Sequence, residues 1–121
     1  MKISIRRAYA DATAADGYRV LVDRVWPRGR TRSELALAEW AKELAPSTAL
    51  RQWFGHDPRR FDEFRDRYRK ELSTASQRAR LRQVLDAAGK GPITLVYGAK
   101  DEEHNQAVVL RDELARMLTR R

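Results

Sequence analysis

The sequence predicts a small, layered α/β fold in which a short, mostly parallel sheet is flanked by about four helices. Two runs of almost continuous apolar residues, 18–22 and 93–97, have the length and composition of strands buried on both faces. Elsewhere, apolar residues recur at intervals of three and four, as on the buried side of amphipathic helices. At 121 residues, the chain is expected to form a single domain, 1–121.

Three strands are predicted. Residues 3–9 alternate apolar and polar side chains, which is typical of a half-exposed strand. The direction of this first strand stays open, because residues 10–17 are short for a crossover between parallel strands. The runs 18–22 and 93–97 form the other two strands, and a polar loop follows each of them.

Four helices are predicted from apolar spacing and from end signals. The first begins with a cap at Ser33, and a short turn capped by Ser47 and closed by Gly55 follows it. The second begins at Asp57, which precedes a proline, the third ends at Gly89, and the fourth follows the last strand. The apolar side of the first helix consists of Leu37, Trp40, Ala41 and Leu44.

Composition limits the chemistry and the location. The chain has no cysteine, which excludes disulfides, thiol catalysis and Cys-ligated zinc. Only His56 and His104 supply imidazoles, so a metal site built on several histidines is not expected. Hydrophobic residues make up 42% of the chain, no apolar run is long enough to cross a bilayer, and no signal peptide is evident. We therefore expect a soluble cytoplasmic protein without a membrane partner.

The chain is strongly basic, with a formal net charge of +8. Residues 1–32 contain eight Lys or Arg residues against three Asp residues, so much of the excess lies in the first quarter of the chain. Such a charge fits either a nucleic-acid-binding face or a solvated, arginine-rich surface.

Polar residues follow both buried runs, where a parallel sheet places its ligands. We expect these side chains to share one crevice: Asp23, Arg24, Trp26 and Arg28 after the first run, and Lys100, Asp101, His104 and Asn105 after the second. Arginine forks match phosphate or carboxylate geometry, and an indole can stack on a base or ring. Arg51 and His56 either face this crevice or bracket Asp57.

Several of these residues also have structural interpretations. Asp23 either contributes to the crevice or holds the loop through an ion pair or amide hydrogen bonds. Trp26 is either a stacking platform or a lid over the core. His104 and Asp101 are the candidate catalytic residues, but Asp101 also suits a helix cap and His104 a structural role. Asn105 either orients a ligand or closes the turn.

Common catalytic motifs are absent. The sequence contains no phosphate-binding loop, no dinucleotide-binding glycine motif and no nucleophile elbow. The strand, turn and helix of residues 93–118 have the topology that carries the catalytic cysteine in rhodaneses and Cys-dependent phosphatases. Without cysteine, that chemistry is not available to this chain.

Three segments together resemble a known family. They are residues 18–29, which include Asp23-Arg24-Val25-Trp26-Pro27-Arg28-Gly29, residues 40–58, which include Trp53-Phe54-Gly55-His56-Asp57-Pro58, and residues 94–105, which end in Lys100-Asp101-Glu102-Glu103-His104-Asn105. The chain resembles the YeaO-like branch of the proteins grouped as domain of unknown function 488, from Ile3 to about Leu118. The resemblance implies a compact cytoplasmic α/β domain without an established activity.

Three functions are therefore considered. The first is a cationic pocket that binds a small anionic, phosphorylated or nucleotide-like ligand, with or without a reaction. The alternative is a basic nucleic-acid-binding module without catalysis, and the third is a protein-interaction domain. The sequence leaves the cofactor, the metal dependence and the oligomeric state open.

Overall fold

A computed structural model describes residues 2–119. In this part of the chain, four strands form one parallel sheet with the order β1-β4-β2-β3. The strands are β1 (Ile3–Arg7), β2 (Tyr18–Leu21), β3 (Glu39–Trp40) and β4 (Ile93–Tyr97). The α/β fold with a mostly parallel sheet is confirmed, and the direction of β1 proves to be parallel.

The central position of β4 explains its apolar sequence. All five of its residues are buried, and it pairs with β1 on one side and β2 on the other. Ile93 is the register partner of both Ile3 and Tyr18. The carboxyl ends of β2 and β4 therefore meet at one edge of the sheet, as the sequence predicted.

The helix predicted from Ser33 is wrong. A single turn, α1 (Arg32–Leu35), begins instead at Thr31, whose hydroxyl accepts a hydrogen bond from the Glu34 amide. Ala36 ends this turn in the left-handed conformation, with φ 46°. The chain then extends into β3, which pairs with β2, and closes with a 3-10 turn at Lys42–Leu44. Strand pairing satisfies the backbone groups that a longer helix would have paired internally.

Three of the remaining helices follow the sequence prediction, and the short turn predicted after Ser47 is a seven-residue helix. These four helices are α2 (Thr48–Phe54), α3 (Phe61–Glu71), α4 (Ala75–Ala88) and α5 (Gln106–Thr119). Ser47 caps α2 through its hydroxyl, and Gly55 ends it with a left-handed residue. Asp57 caps the 3-10 turn that leads into α3, and Gly89 ends α4. Of the helices in residues 2–119, none is long and apolar enough to span a bilayer.

The sheet separates a large hydrophobic core from a small one. Val20 and Leu95 face the large core, which is completed by side chains from α2, α3, α4 and α5. Their neighbours Leu21 and Val96 face the opposite side, because side chains alternate along a strand. The small core there is completed by Ala8, Leu35, Trp26, Leu37 and Trp40.

Candidate functional site

A hydrogen-bonded carboxylate joins the ends of the two central strands. Asp23 follows β2 and its Oδ2 accepts a hydrogen bond from the Gly98 amide, directly after β4, at 2.8 Å. Gln106, at the start of α5, donates from its side-chain amide to the other oxygen of Asp23. A Cβ at position 98 would lie 2.9 Å from Oδ2, so a larger residue there would displace the Asp23 carboxylate. The contact fixes the loop after β2 against the turn after β4.

A cleft of about 420 Å³ opens beside this contact, and we call it the strand-end cleft. Its polar walls come from Asp23, Arg24, Arg51, His56 and Gln106. Its apolar surface includes Pro46, Phe54 and Phe64 from the segment before α2, from α2 and from α3. The volume lies within the range usual for small-molecule sites.

The arginines of the cleft are weakly engaged by the protein. Arg24 Nη2 donates to the Pro46 carbonyl and Arg51 Nη2 to Thr48 Oγ1, both at 3.3 Å. These distances lie beyond the usual N–H···O range, so the donors remain available to a ligand. Arg51 Nε is buried and meets no hydrogen-bond acceptor within residues 2–119.

His56 reaches the cleft from a strained backbone. Its φ is 57°, in the left-handed region, directly after Gly55 with φ 54°. Residues other than glycine lose about 1–2 kcal/mol in this conformation, although His tolerates it better than most. The imidazole lies 6.2 Å from the Phe54 ring, measured between ring centroids.

Burial raises the pKa of the Asp23 carboxyl to about 6. The hydrogen bonds from Gly98 and Gln106 and the charges of His56 and Arg51 act in the opposite direction, because they favour the carboxylate. Burial is the larger effect. The Asp23 side chain therefore changes between its neutral and its charged form near pH 6.

Two predicted residues on the loop after β2 lie away from the cleft. Trp26 packs edge-on against Trp40, with 5.5 Å between ring centroids, and its indole donates to the Arg30 carbonyl at 2.7 Å. It belongs to the small core on the opposite face of the sheet. Arg28 is exposed, and its carbonyl accepts a hydrogen bond from the Tyr9 hydroxyl.

The predicted catalytic pair also lies outside the lining of the strand-end cleft. Asp101 Oδ1 accepts hydrogen bonds from the Glu103 and His104 amides, and its Oδ2 lies 2.9 Å from His104 Nδ1. The bond from the Glu103 amide is the main cause that lowers the pKa of Asp101. The His104 ring contacts Phe61 edge-on. This arrangement holds the turn between β4 and α5.

Asn105 and Lys100, the last two predicted residues, also lie outside the lining of the strand-end cleft. Asn105 is buried and caps α5, since its Oδ1 accepts a hydrogen bond from the Val108 amide and its amide donates to the Asp101 carbonyl. Lys100 is exposed and lines a different cleft beside β1. The structure thus brings Asp23, Arg24, Arg51 and His56 together and separates them from Trp26, Arg28, Lys100, Asp101, His104 and Asn105.

Sequence reasoning missed Gln106 and the apolar lining. Gln106 directly follows the polar turn, and its position in the first turn of α5 was a usable signal. Phe54 and Phe64 carried no separate signal, because both also belong to the core. Within the described residues, no three carboxylate or imidazole side chains converge to hold a metal ion.

Comparisons with known proteins give one consistent result. A family model described as the inactive DUF488-N3 subclade matches residues 2–121. The chain is 45% identical over 114 residues to the Escherichia coli (strain K12) protein named uncharacterized protein YeaO, which covers 94% of this chain and 97% of that protein. It is 38% identical over 109 residues to uncharacterized proteins of Mycobacterium tuberculosis (strain ATCC 25618 / H37Rv) and Mycobacterium bovis (strain ATCC BAA-935 / AF2122/97), with 90% of each chain covered. No solved structure matches the chain.

Proposed function

We infer that this chain, which belongs to the inactive DUF488-N3 subclade, binds a small anionic ligand in its strand-end cleft without transforming it. The membership confirms the resemblance expected from the three sequence segments. The ligand class is a phosphorylated or nucleotide-like molecule. The observation that carries the proposal is the convergence of Arg24, Arg51 and His56 on one cleft at the carboxyl ends of the central strands.

The available hydrogen-bond donors support an anionic ligand. Guanidinium groups bind phosphate and carboxylate oxygens through paired N–H groups, and Arg24 and Arg51 use few of theirs on the protein. His56 adds a third group at the mouth. Its strained backbone is of the kind that persists where a side chain must be held in place for a ligand.

The apolar lining supports a ligand that is more than an inorganic ion. Phe54 and Phe64 are buried, and their stacked rings, 4.3 Å apart between centroids, contribute to the cleft. A ligand with a ring or a carbon skeleton would bury apolar surface there while its charged end meets the arginines.

The subclade description and the geometry both favour binding over catalysis. The family is described as inactive, and the chain has no cysteine. Asp101 and His104 contact one another and the turn between β4 and α5. We assign them to the shape of that turn and give them no proton-transfer role.

Replacing Arg51 by alanine is expected to weaken anion binding at least about tenfold, since a hydrogen bond to a charged group contributes about 1.5–3 kcal/mol. The measurement is a thermal shift with phosphate, sulfate, AMP and a sugar phosphate as probes. A probe at about 100 times its dissociation constant stabilises the fold by roughly 2.7 kcal/mol.

The matched control is Arg82→Ala, because Arg82 is an exposed arginine on α4 and its removal changes the net charge equally. An equal loss in both variants, or no shift in the wild type with any of the four probes, contradicts the proposal. A loss confined to Arg51→Ala supports it.

The stability of the protein is expected to fall as the pH rises through the pKa of Asp23. The folded pKa of about 6 lies above the unfolded value, so the unfolded chain ionises first. The contribution of Asp23 is fully present below about pH 4 and amounts to about 3 kcal/mol, because each of the roughly two units between the folded and unfolded pKa corresponds to about 1.4 kcal/mol. This contribution is lost by about pH 7. Urea unfolding of the wild type and Asp23→Asn across this range measures it. The difference between the two should grow in favour of Asn with rising pH.

The variant Asp23→Asn can keep both hydrogen bonds, because a reversed Gln106 amide accepts from the new amide. Asp57→Asn is a control for which the change of stability with pH should have the opposite sign. The Arg59 side chain and amide lower the pKa of the Asp57 carboxyl, so its contribution is present at neutral pH and is lost as the pH falls. Parallel curves for the wild type and Asp23→Asn would contradict the assignment.

A further inference from the structure

A second cleft lies beside the edge strand β1, about 460 Å³ in volume, and we call it the β1-edge cleft. Its lining includes Arg6, Arg7, Tyr9, Lys100 and Glu102. These residues come from β1, from the residues after it and from the turn after β4. The β1-edge cleft is a second candidate site, separate from the strand-end cleft, because the two clefts share no lining residue.

A partly exposed aromatic ring lines the β1-edge cleft. Tyr9 is 43% exposed, although large apolar rings are usually buried. Its hydroxyl donates to the Arg28 carbonyl at 3.0 Å, and the Arg7 guanidinium lies 5.2 Å from its ring centroid. The Tyr9 ring is therefore held through its hydroxyl group and contacts the Arg7 guanidinium, while 43% of the residue remains exposed to a partner.

Cations line the same cleft as this ring. Arg7 is anchored through a hydrogen bond from its Nε to the Ala99 carbonyl at 3.0 Å, which leaves its terminal nitrogens for other partners. Lys100 is exposed and forms no ion pair within residues 2–119. Glu102 is the opposing carboxylate of the lining, so the β1-edge cleft keeps a positive excess.

We propose that the β1-edge cleft binds single-stranded nucleic acid, with a base stacked on Tyr9 and the adjacent phosphates bound by Arg7 and Lys100. Stacking on aromatic side chains beside a cationic groove is how proteins bind single strands without sequence preference. A duplex keeps its bases stacked on one another, so the exposed ring favours a single strand. The proposal also gives a role to the basic excess of residues 1–32.

The test is fluorescence anisotropy with a labelled oligothymidylate of about twelve nucleotides at about 50 and 200 mM salt. Tyr9→Ala is expected to weaken binding at least about fivefold. Tyr9→Phe, which keeps the ring and loses only the hydrogen bond to the Arg28 carbonyl, should lose much less. Lys100→Gln should weaken binding and lower the slope of log affinity against log salt by about 0.7.

Lys90→Gln is the matched control. Lys90 is also an exposed lysine, but it precedes β4, whereas Lys100 follows this strand. Equal effects of Lys90→Gln and Lys100→Gln would overturn the proposal, as would a loss in Tyr9→Phe equal to that in Tyr9→Ala. Arg82→Ala, which lines neither cleft, should weaken oligonucleotide binding no more than Lys90→Gln does.

Three further probes distinguish other partners. A duplex, thymidine monophosphate and anionic lipid vesicles are each measured with the wild type and with Tyr9→Ala. Wild-type binding to any of them as tight as to the oligothymidylate, with the same loss in Tyr9→Ala, overturns the assignment to single strands. Weaker binding to all three supports it.

Discussion

Gly17→Ala is expected to destabilise the protein by about 3–5 kcal/mol, a large part of the roughly 5–15 kcal/mol by which folded proteins are stable. Gly17 has φ 66° and ψ −127°, a conformation that residues with a Cβ rarely adopt. An added Cβ would also lie 2.4 Å from the Pro92 carbonyl oxygen and 2.6 Å from the Pro92 Cγ. This carbonyl accepts the Tyr18 amide at the start of β2, so the clash would disturb the pairing of β2 with β4. Chemical denaturation measures the loss.

Gly89→Ala separates the two causes. Gly89 has almost the same backbone conformation, with φ 64° and ψ −130°, and an added Cβ would meet nothing within 4 Å in the described part of the chain. This variant is expected to lose only the conformational strain, about 1–3 kcal/mol. Equal losses at both positions would show that contact with Pro92 contributes nothing.

Glu113→Ala is expected to cost about 3 kcal/mol. The Glu113 side chain is only 3% exposed, and in the described residues three arginines surround it: Arg69 at 2.9 Å, Arg78 at 3.1 Å and Arg116 at 2.6 Å. These arginines belong to α3, α4 and α5, so one carboxylate joins three helices. Its removal leaves adjacent cations that repel one another, and their partial exposure to water keeps the loss moderate. Urea unfolding at low salt measures the effect.

The control for this prediction is Glu63→Ala. Glu63 forms an exposed ion pair with Arg67 one turn along α3, and such a pair contributes about 0.5 kcal/mol or less. Both variants change the net charge equally. A loss in Glu113→Ala no larger than in Glu63→Ala would show that burial adds nothing to the arginine cluster.

Parts of the fold could be predicted because their signals are local. The hydroxyl of Ser47, the carboxylate of Asp57 and the backbone of Gly89 act on residues only a few positions away. The segment 33–44 could not be predicted, because Leu37 and Trp40 have helical spacing but pack with Trp26 on the small core. Their environment depends on the distant strand β2, which pairs with β3. The spacing of apolar residues within a segment does not indicate which distant strand it will pair with.

Chain direction predicts that the ends of β2 and β4 meet, but it does not predict which side chains line the cleft beside them. Parallel strands bring Asp23 and Gly98 together, and this follows from chain direction alone. Whether Lys100 joins Arg24 in one cleft depends on the path of a short turn. That turn carries Lys100 toward β1, and its side chain lines the β1-edge cleft. Side-chain direction at a loop depends on backbone angles that composition does not specify.

The central position of β4 also determines when the sheet can form. In the described residues, β1 pairs with β4 alone, and Ile3 meets its register partner Ile93 across most of the chain. During synthesis, β1 and β2 therefore leave the ribosome before the strand that joins them exists. Pairing over such distances slows folding, and until β4 is made β1 lacks the strand with which it pairs. β1 and β2 can therefore join one sheet only after β4 has been made.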